Sequence, residues 1–478
     1  MVYSAKPAFT LSEFTAGNKC LTANRDIKMG EAIFTEDVFL YGPNLDARSP
    51  MCLGCGVNVD TSVICYDCGW PVCSLYCDKL RIHKTNECEV FKKCPNMSFQ
   101  RFGSKKFKLH QYDCILPLRM LFLREKSPDR WSCVEQLKYD TEIRRDTPRW
   151  QNEDSFVVKF IRQKCKLKQF DEELIHKVCS IIEANCFQIS SSKNNLRFVY
   201  ATSNYFSHNC LPNCSFVISP SENFRIYIRA AVDIRNGEQL TYSKIKPITP
   251  TLLRRQELLQ SYYISCQCYR CSDPTELNSH FSSLKCPKCK KGPREVLSLN
   301  PLDFESEWKC TKCKYQKSYK ALKTFYNEIE KEMNKVAEMK NTSEMIACYE
   351  KLIKKYSPKL HPNHAFIVYM KYSYLLLCLS GETFDSSDYD DVEIKIQWLN
   401  ELLEVFDIVA PGFTCVRGRT LHMLYKVFVI KAKTYNTSKK SEQEQFTKCM
   451  TKALHYLDMA EQIMVVEKPF SQSDDTSP

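Results

Sequence analysis

Apolar and polar positions change period several times along this chain, and each change marks a segment. Residues 1–50 carry short strand-like runs, Ile33-Phe34 and Val38-Phe39-Leu40. Gly17, Gly30, Gly42 and Pro43 punctuate them as turns would. Residues 94–195 read as mostly helical. Pro117 suits the first turn of a helix, with Leu118, Leu121 and Phe122 on one face, and Leu174-Ile175, Val178 and Ile181-Ile182 fall at helical spacing. Strand character returns over 196–250, in Phe198-Val199-Tyr200, Phe216-Val217-Ile218, Phe224-Arg225-Ile226-Tyr227-Ile228 and Leu240-Thr241-Tyr242. From about residue 317 the apolar positions step by three and four: Ile346, Tyr349, Ile353 and Tyr356, then Trp398-Leu399, Leu402-Leu403 and Phe406, then Leu424 and Val427-Phe428, then Leu454, Leu457 and Ile463-Met464. That succession predicts a stacked array of helical hairpins whose stripes are core. The polar tail from Ser471 to Pro478 is expected to be disordered.

Cysteine spacing changes the picture between these segments. Cys52-x2-Cys55, Cys65-x2-Cys68, Cys73-x3-Cys77 and His83-x4-Cys88 supply eight ligands in pairs. Each pair is spaced as a turn must be to present two donors to one metal, so eight donors predict two structural zincs. Cys266-x-Cys268-x2-Cys271 supplies three more thiolates, and Cys210 is the candidate for the fourth. Cys286-x2-Cys289 and Cys310-x2-Cys313 have the spacing of a self-contained zinc ribbon. These groups predict about four zincs and use fifteen of the 27 cysteines. The others, such as Cys114, Cys179 and Cys378, read as small buried apolar residues.

Length and composition set outer bounds. The 478 residues suggest about three domains, and 44% hydrophobic residues are enough for real cores. A net charge of +12 is mild for this length and does not demand a nucleic acid partner. Residues 52–88 with their flanks are near neutral, so direct DNA binding is not expected. Lys105-Lys106 with Lys108, and Lys290-Lys291, read as solvated faces. No apolar run approaches the ~20 residues of a membrane span. No apolar segment follows Met1 to Pro7, and reduced thiols suit metal binding. The expected location is therefore the cytoplasm, with the nucleus second.

The order of these parts resembles the SET-and-MYND (SMYD) family of protein-lysine methyltransferases, over essentially the whole chain. Residues 52–88 resemble a MYND finger. There the resemblance implies interleaved pairs: Cys52, Cys55, Cys73 and Cys77 on one zinc, Cys65, Cys68, His83 and Cys88 on the other. Ser207-His208-Asn209-Cys210-Leu211-Pro212-Asn213 is similar to the family's Asn-His-Ser-Cys-x-Pro-Asn segment, and Gly237-Glu238-Gln239-Leu240-Thr241 to its Gly-Glu-Glu-Leu-Thr strand. Arg25-Asp26-Ile27, Gly30-Glu31 and Asn185-Cys186-Phe187 match further stretches of the SET core. The extra ribbon is similar to an arthropod branch. The fold implied is α+β: a SET-domain β-fold in two parts (1–50 and 196–250), split by a MYND finger (51–93) and a helical insert (94–195). A post-SET zinc segment (251–280), the ribbon (281–316) and a TPR-like helical domain (317–470) follow. The activity implied is methyl transfer from S-adenosylmethionine to a neutral lysine amine through a narrow apolar channel. The partners implied are proteins, bound as proline-containing motifs by the finger and along the C-terminal helices, with a monomer favoured.

The same resemblance assigns Asn18, Lys19, Cys20, Ser207 and His208 to the cofactor, and Phe187, Tyr262 and position 244 to the channel. Three of these positions depart from the family pattern. Asn18-Lys19-Cys20 stands where two glycines let backbone approach the cofactor, with Gly17 one position early. Ser207 replaces an asparagine and lacks its amide. Lys244 stands at the catalytic tyrosine. A like-charge contact at 4 Å costs about 4 kcal/mol at an effective dielectric near 20, so an ammonium there opposes both an incoming lysine and a sulfonium. Two readings follow. In the first, catalysis is weak or lost and the chain works through protein contacts; in the other it is an active protein-lysine N-methyltransferase on histone or non-histone proteins. Tyr242, two residues before Lys244 on the same strand face, is expected to need local rearrangement to replace the missing phenol. A bolder expectation is that Lys244 enters the channel as an internal mimic of a substrate lysine.

Overall fold

The computed structural model describes residues 7–464 apart from 16–17, 46–48, 79–80, 95–108, 146, 191–194, 291–293, 381–388 and 436–438. Gly17, the Lys105–Lys108 cluster, Lys291 and the tail 471–478 therefore lie outside the described residues; Lys290 is exposed. Among the described residues ten short strands carry the first half: β1 (Phe9–Thr15), β2 (Asn18–Ala23), β3 (Ala32–Glu36), β4 (Leu40–Pro43), β5 (Phe187–Ser190), β6 (Asn195–Val199), β7 (Ser207–His208), β8 (Cys214–Ser219), β9 (Arg225–Ala230) and β10 (Thr241–Tyr242). They form small sheets: a β1-β2 hairpin, β3-β9-β8, β4-β6-β5 and a parallel β7-β10 pair. Along β9 the buried Ile226, Ile228 and Ala230 alternate with half-buried Arg225, Tyr227 and Arg229, the period of a strand with one face on the core.

The helix Glu172–Asn185 shows why the insert folds as it does. The Asp171 carboxylate accepts from the Leu174 amide at 2.7 Å, an N-cap, and Glu172 and Glu173 occupy the positive first turn. Ile175, Val178, Ile181 and Ile182 are buried on one side. The Asn185 amide donates to Ile181 O at 2.7 Å and to Lys138 O at 2.6 Å, tying off the last turn. The helical stretch ends there. Residues 187–190, read from sequence within the helical insert, are the strand β5, because Phe187 and Ile189 pair with Phe198 and Leu196 across β6. Pro117 sits in the first turn of the helix Ile115–Lys126, where its missing N–H costs nothing.

One core unites the strands, the finger and the insert. Trp70 of the finger stacks on Phe91 with centroids 4.7 Å apart and meets Tyr112 edge-on at 5.4 Å. Arg119 is buried at the same junction, donating to Tyr41 O at 2.8 Å and Leu53 O at 2.7 Å. A second core joins a four-stranded ribbon sheet (β11, Leu284–Lys285; β12, Glu295–Ser298; β13, Trp308–Cys310; β14, Gln316–Lys317) to the C-terminal helices. Those helices run Tyr319–Ala337, Thr342–Tyr356, Ala365–Ser380, Tyr389–Val409, Cys415–Lys433 and Lys440–Met464. Their array docks on the strand core through a turn at Gly412-Phe413, where the Phe413 amide donates to Ala231 O at 2.8 Å. Among the described residues no helix is long and apolar enough to cross a membrane.

Candidate metal centres and candidate active site

Four groups of side chains gather their donor atoms within 4.8 Å: Cys52, Cys55, Cys73 and Cys77; Cys65, Cys68, His83 and Cys88; Cys210, Cys266, Cys268 and Cys271; Cys286, Cys289, Cys310 and Cys313. A tetrahedron of Zn–S bonds near 2.3 Å has edges of about 3.8 Å. The sulfurs match it, at 3.6 Å for Cys55–Cys73 and Cys65–Cys88, 3.9 Å for Cys210–Cys266, 3.5 Å for Cys210–Cys271, 3.6 Å for Cys286–Cys313 and 3.8 Å for Cys289–Cys310. Donor chemistry and spacing together make these zinc-binding clusters. The finger's pairs interleave because two knuckle turns bring the first and third pairs together and leave the second to meet His83 and Cys88. Cys210 joins the post-SET thiols from 56 residues upstream, carried by the chain leaving β7.

Each cluster has a supporting shell. His83 turns Nε2 toward Cys68 Sγ at 3.4 Å and Nδ1 toward Glu87 at 3.0 Å. Glu87 is fully buried and gripped by Arg119, whose Nε donates at 2.9 Å. Burial alone would raise that carboxyl, but Arg119 and His83 overcome it and hold it below the usual carboxylate range. At the post-SET cluster Arg254 donates to Cys271 Sγ at 3.5 Å and to Glu276 at 2.8 Å, and Arg270 donates to the same carboxylate at 2.9 Å. Arg270 also reaches Cys210 O, Pro247 O and Val409 O, so it ties this cluster to the C-terminal helices. These buttresses were not legible in sequence; only Arg119 lay in a segment read as helical, and nothing in the zinc segments paired Glu87, Arg254, Arg270 or Glu276 with a partner.

The candidate active site is built where β7 and β10 run parallel, pairing Ser207 with Thr241 and His208 with Tyr242. Asn213 locks the two segments together: its Oδ1 accepts from the Thr241 amide at 2.8 Å and its Nδ2 donates to Gln239 O at 2.9 Å. Tyr242 then lies in an aromatic nest. Phe187 stacks on it at 4.9 Å, and Phe216 and Phe206 meet it edge-on at 5.8 and 6.2 Å. Tyr200 meets Phe187 edge-on at 5.5 Å. Burial raises the phenols of Tyr242 and Tyr262 above their ordinary value.

Lys244 points into this nest. Its Nζ donates to Tyr242 Oη and to Ala184 O, each at 2.9 Å, and lies 5.3 Å from the Tyr242 ring centroid and 5.2 Å from that of Tyr262. Burial pushes its ammonium down to about 8. Its backbone amide donates to His208 Nδ1 at 3.1 Å, while His208 Nε2 faces Cys210 Sγ at 3.3 Å. Burial, reinforced by the Lys244 charge, pushes that imidazole down to about 4. Sequence reading anticipated Tyr242 on the Lys244 face but not the direct contact between them. Neither Ala184 O nor the rings of Phe206 and Phe216 carried a sequence signal, since a carbonyl's exposure depends on where its helix stops.

The described side chains at the positions assigned to S-adenosylmethionine make their contacts within the chain. Lys19 is exposed in the β1-β2 hairpin opposite Glu13 and donates to Gln136 at 3.1 Å. Cys20 is buried beside Thr22 at 3.9 Å. The Ser207 hydroxyl is taken by Gln239 Nε2, and both His208 nitrogens are engaged within the chain. Asn18 belongs to the same extended hairpin.

Comparison with known proteins places this geometry. The SET domain family model matches residues 18–243. The SET domain-containing protein SmydA-8, isoform B, of Drosophila melanogaster is 25% identical over 324 residues, 64% of this chain and 67% of that protein. The histone-lysine N-methyltransferase SMYD3 of Homo sapiens is 26% identical over 261 residues, 52% of this chain and 58% of that protein. A SET and MYND domain-containing protein of Dictyostelium discoideum is 29% identical over 161 residues, 31% of this chain and 40% of that protein. The matches thus span about two thirds or less of these relatives' own lengths.

Proposed function

The chain belongs to the SET-and-MYND family, of the protein-lysine methyltransferase class, and from that premise we propose that its own catalysis is weak or absent and that it acts by binding other proteins. The observation that carries this reading is the amine of Lys244 lodged among Tyr242, Tyr262 and Ala184 O. A methyl acceptor has to reach such a nest as a neutral amine, and here a resident amine already takes the hydroxyl and the carbonyl. The engagement of Ser207 and His208 by their own chain supports the same reading.

The finger supports a protein-binding role. Tyr66, Leu75 and Tyr76 are 93%, 70% and 76% exposed beside its metal ligands. Exposed aromatic surface of this kind suits proline-containing peptide motifs, the partner class proposed for it. The C-terminal helices are proposed as a second protein contact, and the working form as a monomer. A cytoplasmic location, with access to the nucleus, is proposed because thiolate zinc sites suit a reducing compartment.

The second reading is an active protein-lysine N-methyltransferase acting on histone or other proteins. One observation favours it: Tyr242 Oη is within hydrogen-bond reach of an amine, so this nest does orient amines. That reading needs Lys244 withdrawn. Calorimetric titration with S-adenosylmethionine, followed by methyl transfer to a broad peptide array, separates the two. No transfer is expected; transfer at ordinary rates overturns the first reading.

A further inference from the structure

The surroundings of the Lys244 amine form a recognition set. Ala184 O lies in the last turn of the helix Glu172–Asn185, where carbonyls lack intrahelical partners and the helix dipole is negative. Tyr242 Oη supplies a second acceptor from the hydroxyl edge of its ring, and the Tyr262 ring supplies a cation–π contact at 5.2 Å, within the ~6 Å over which such attraction acts. Phe187 stacks on Tyr242 and fixes its plane. The strand exit is fixed as well, because the Lys244 amide is bound to His208. The side chain is thus delivered into the nest rather than left to sample solvent.

We propose that the nest of Tyr242, Tyr262 and Ala184 O is an alkylamine-binding site whose resident ligand is the chain's own Lys244, so that an external lysine side chain enters only when Lys244 is removed or withdrawn. This deepens the reading of weak catalysis and rests on it. A tethered ligand competes at an effective concentration on the order of millimolar or above, enough to exclude weak external amines. The site suits a primary amine on a flexible apolar stem, the shape of a lysine side chain.

The test removes the tethered ligand and offers it back. n-Butylammonium is titrated by calorimetry into the full-length protein and its Lys244→Ala form, with n-butanol as the neutral control. Saturable binding at least tenfold tighter in Lys244→Ala, lost again on adding Tyr262→Ala and absent for n-butanol, is expected. Equal binding to both forms, or none to a folded Lys244→Ala, overturns the proposal. A second measurement needs no variant: mild reductive methylation of the native protein, read by peptide mass spectrometry. Lys244 should label at least tenfold more slowly than exposed lysines such as Lys28 and reach their rate after denaturation; equal native rates overturn the proposal. Both measurements report occupancy, whereas the transfer assay reports catalysis, so the two ideas fail separately.

Discussion

His83 and Glu87 stand four residues apart on successive short helical turns, and the carboxylate holds the ring nitrogen that faces away from the zinc donors at 3.0 Å. The contact is wholly buried and anchored by Arg119, so one arginine links a metal ligand to the carbonyls of Tyr41 and Leu53 in the neighbouring core. The zinc-binding cluster and the joint between finger and SET body therefore share one buried arginine.

Glu87→Gln should weaken zinc at the Cys65, Cys68, His83, Cys88 cluster by about 10–100-fold, the usual loss when a supporting carboxylate is changed. Competition with a chromophoric chelator measures this. Arg119→Ala strands a buried carboxylate and should cost about 3–5 kcal/mol of stability; an unchanged urea midpoint would contradict it.

Metal analysis of the full chain should find about four zincs, one for each four-donor cluster. Cys289→Ser should lower the count by about one while the SET core keeps its fold, because the ribbon packs with the C-terminal helices and not with the core of the finger. Loss of two or more zincs in that variant would show that the clusters are coupled.

Gly412 has φ +72°, and a Cβ there would meet Ala231 O at 1.9 Å. Gly412→Ala should therefore cost about 1–3 kcal/mol or more, the scale of left-handed strain with a backbone clash. The same change should open the contact between Phe413 N and Ala231 O. Limited proteolysis near residue 412 should accelerate; an unchanged digestion pattern would argue against this docking contact.

Lys244 is held down to about 8 in the fold by burial, against an ordinary value of 10.5. Between these values the unfolded chain holds a proton that the folded chain has released, so this group's contribution to stability rises with pH. The stability of the wild type relative to Lys244→Met should increase from pH 8 to pH 10.5. Urea unfolding at both ends of that window measures the difference, and a flat difference would mean the amine lies in water.

Much of the architecture was legible because its signals are local. Cysteine pairs two residues apart declare turns whatever surrounds them, and the apolar steps at Leu174, Ile175, Val178 and Ile181 declare a helix. The strand Phe187–Ser190 escaped because four residues after a strong helix carry too little period of their own. Its pairing with β6 makes it a strand. The Arg254–Glu276–Arg270 cluster escaped for a related reason, since a carboxylate 22 residues from its arginine leaves no mark in composition.

By itself the chain's order of residues determined its donor sets, its helices and strands, and the lysine at position 244, because spacing and side-chain chemistry act over a few residues. Tertiary structure bore out the interleaved pairs and Cys210 that sequence reading had expected, and it alone decided that the Lys244 amine meets Tyr242, Tyr262 and Ala184 O. Those outcomes depend on where distant segments cross, and on which carbonyl a helix leaves open when it ends.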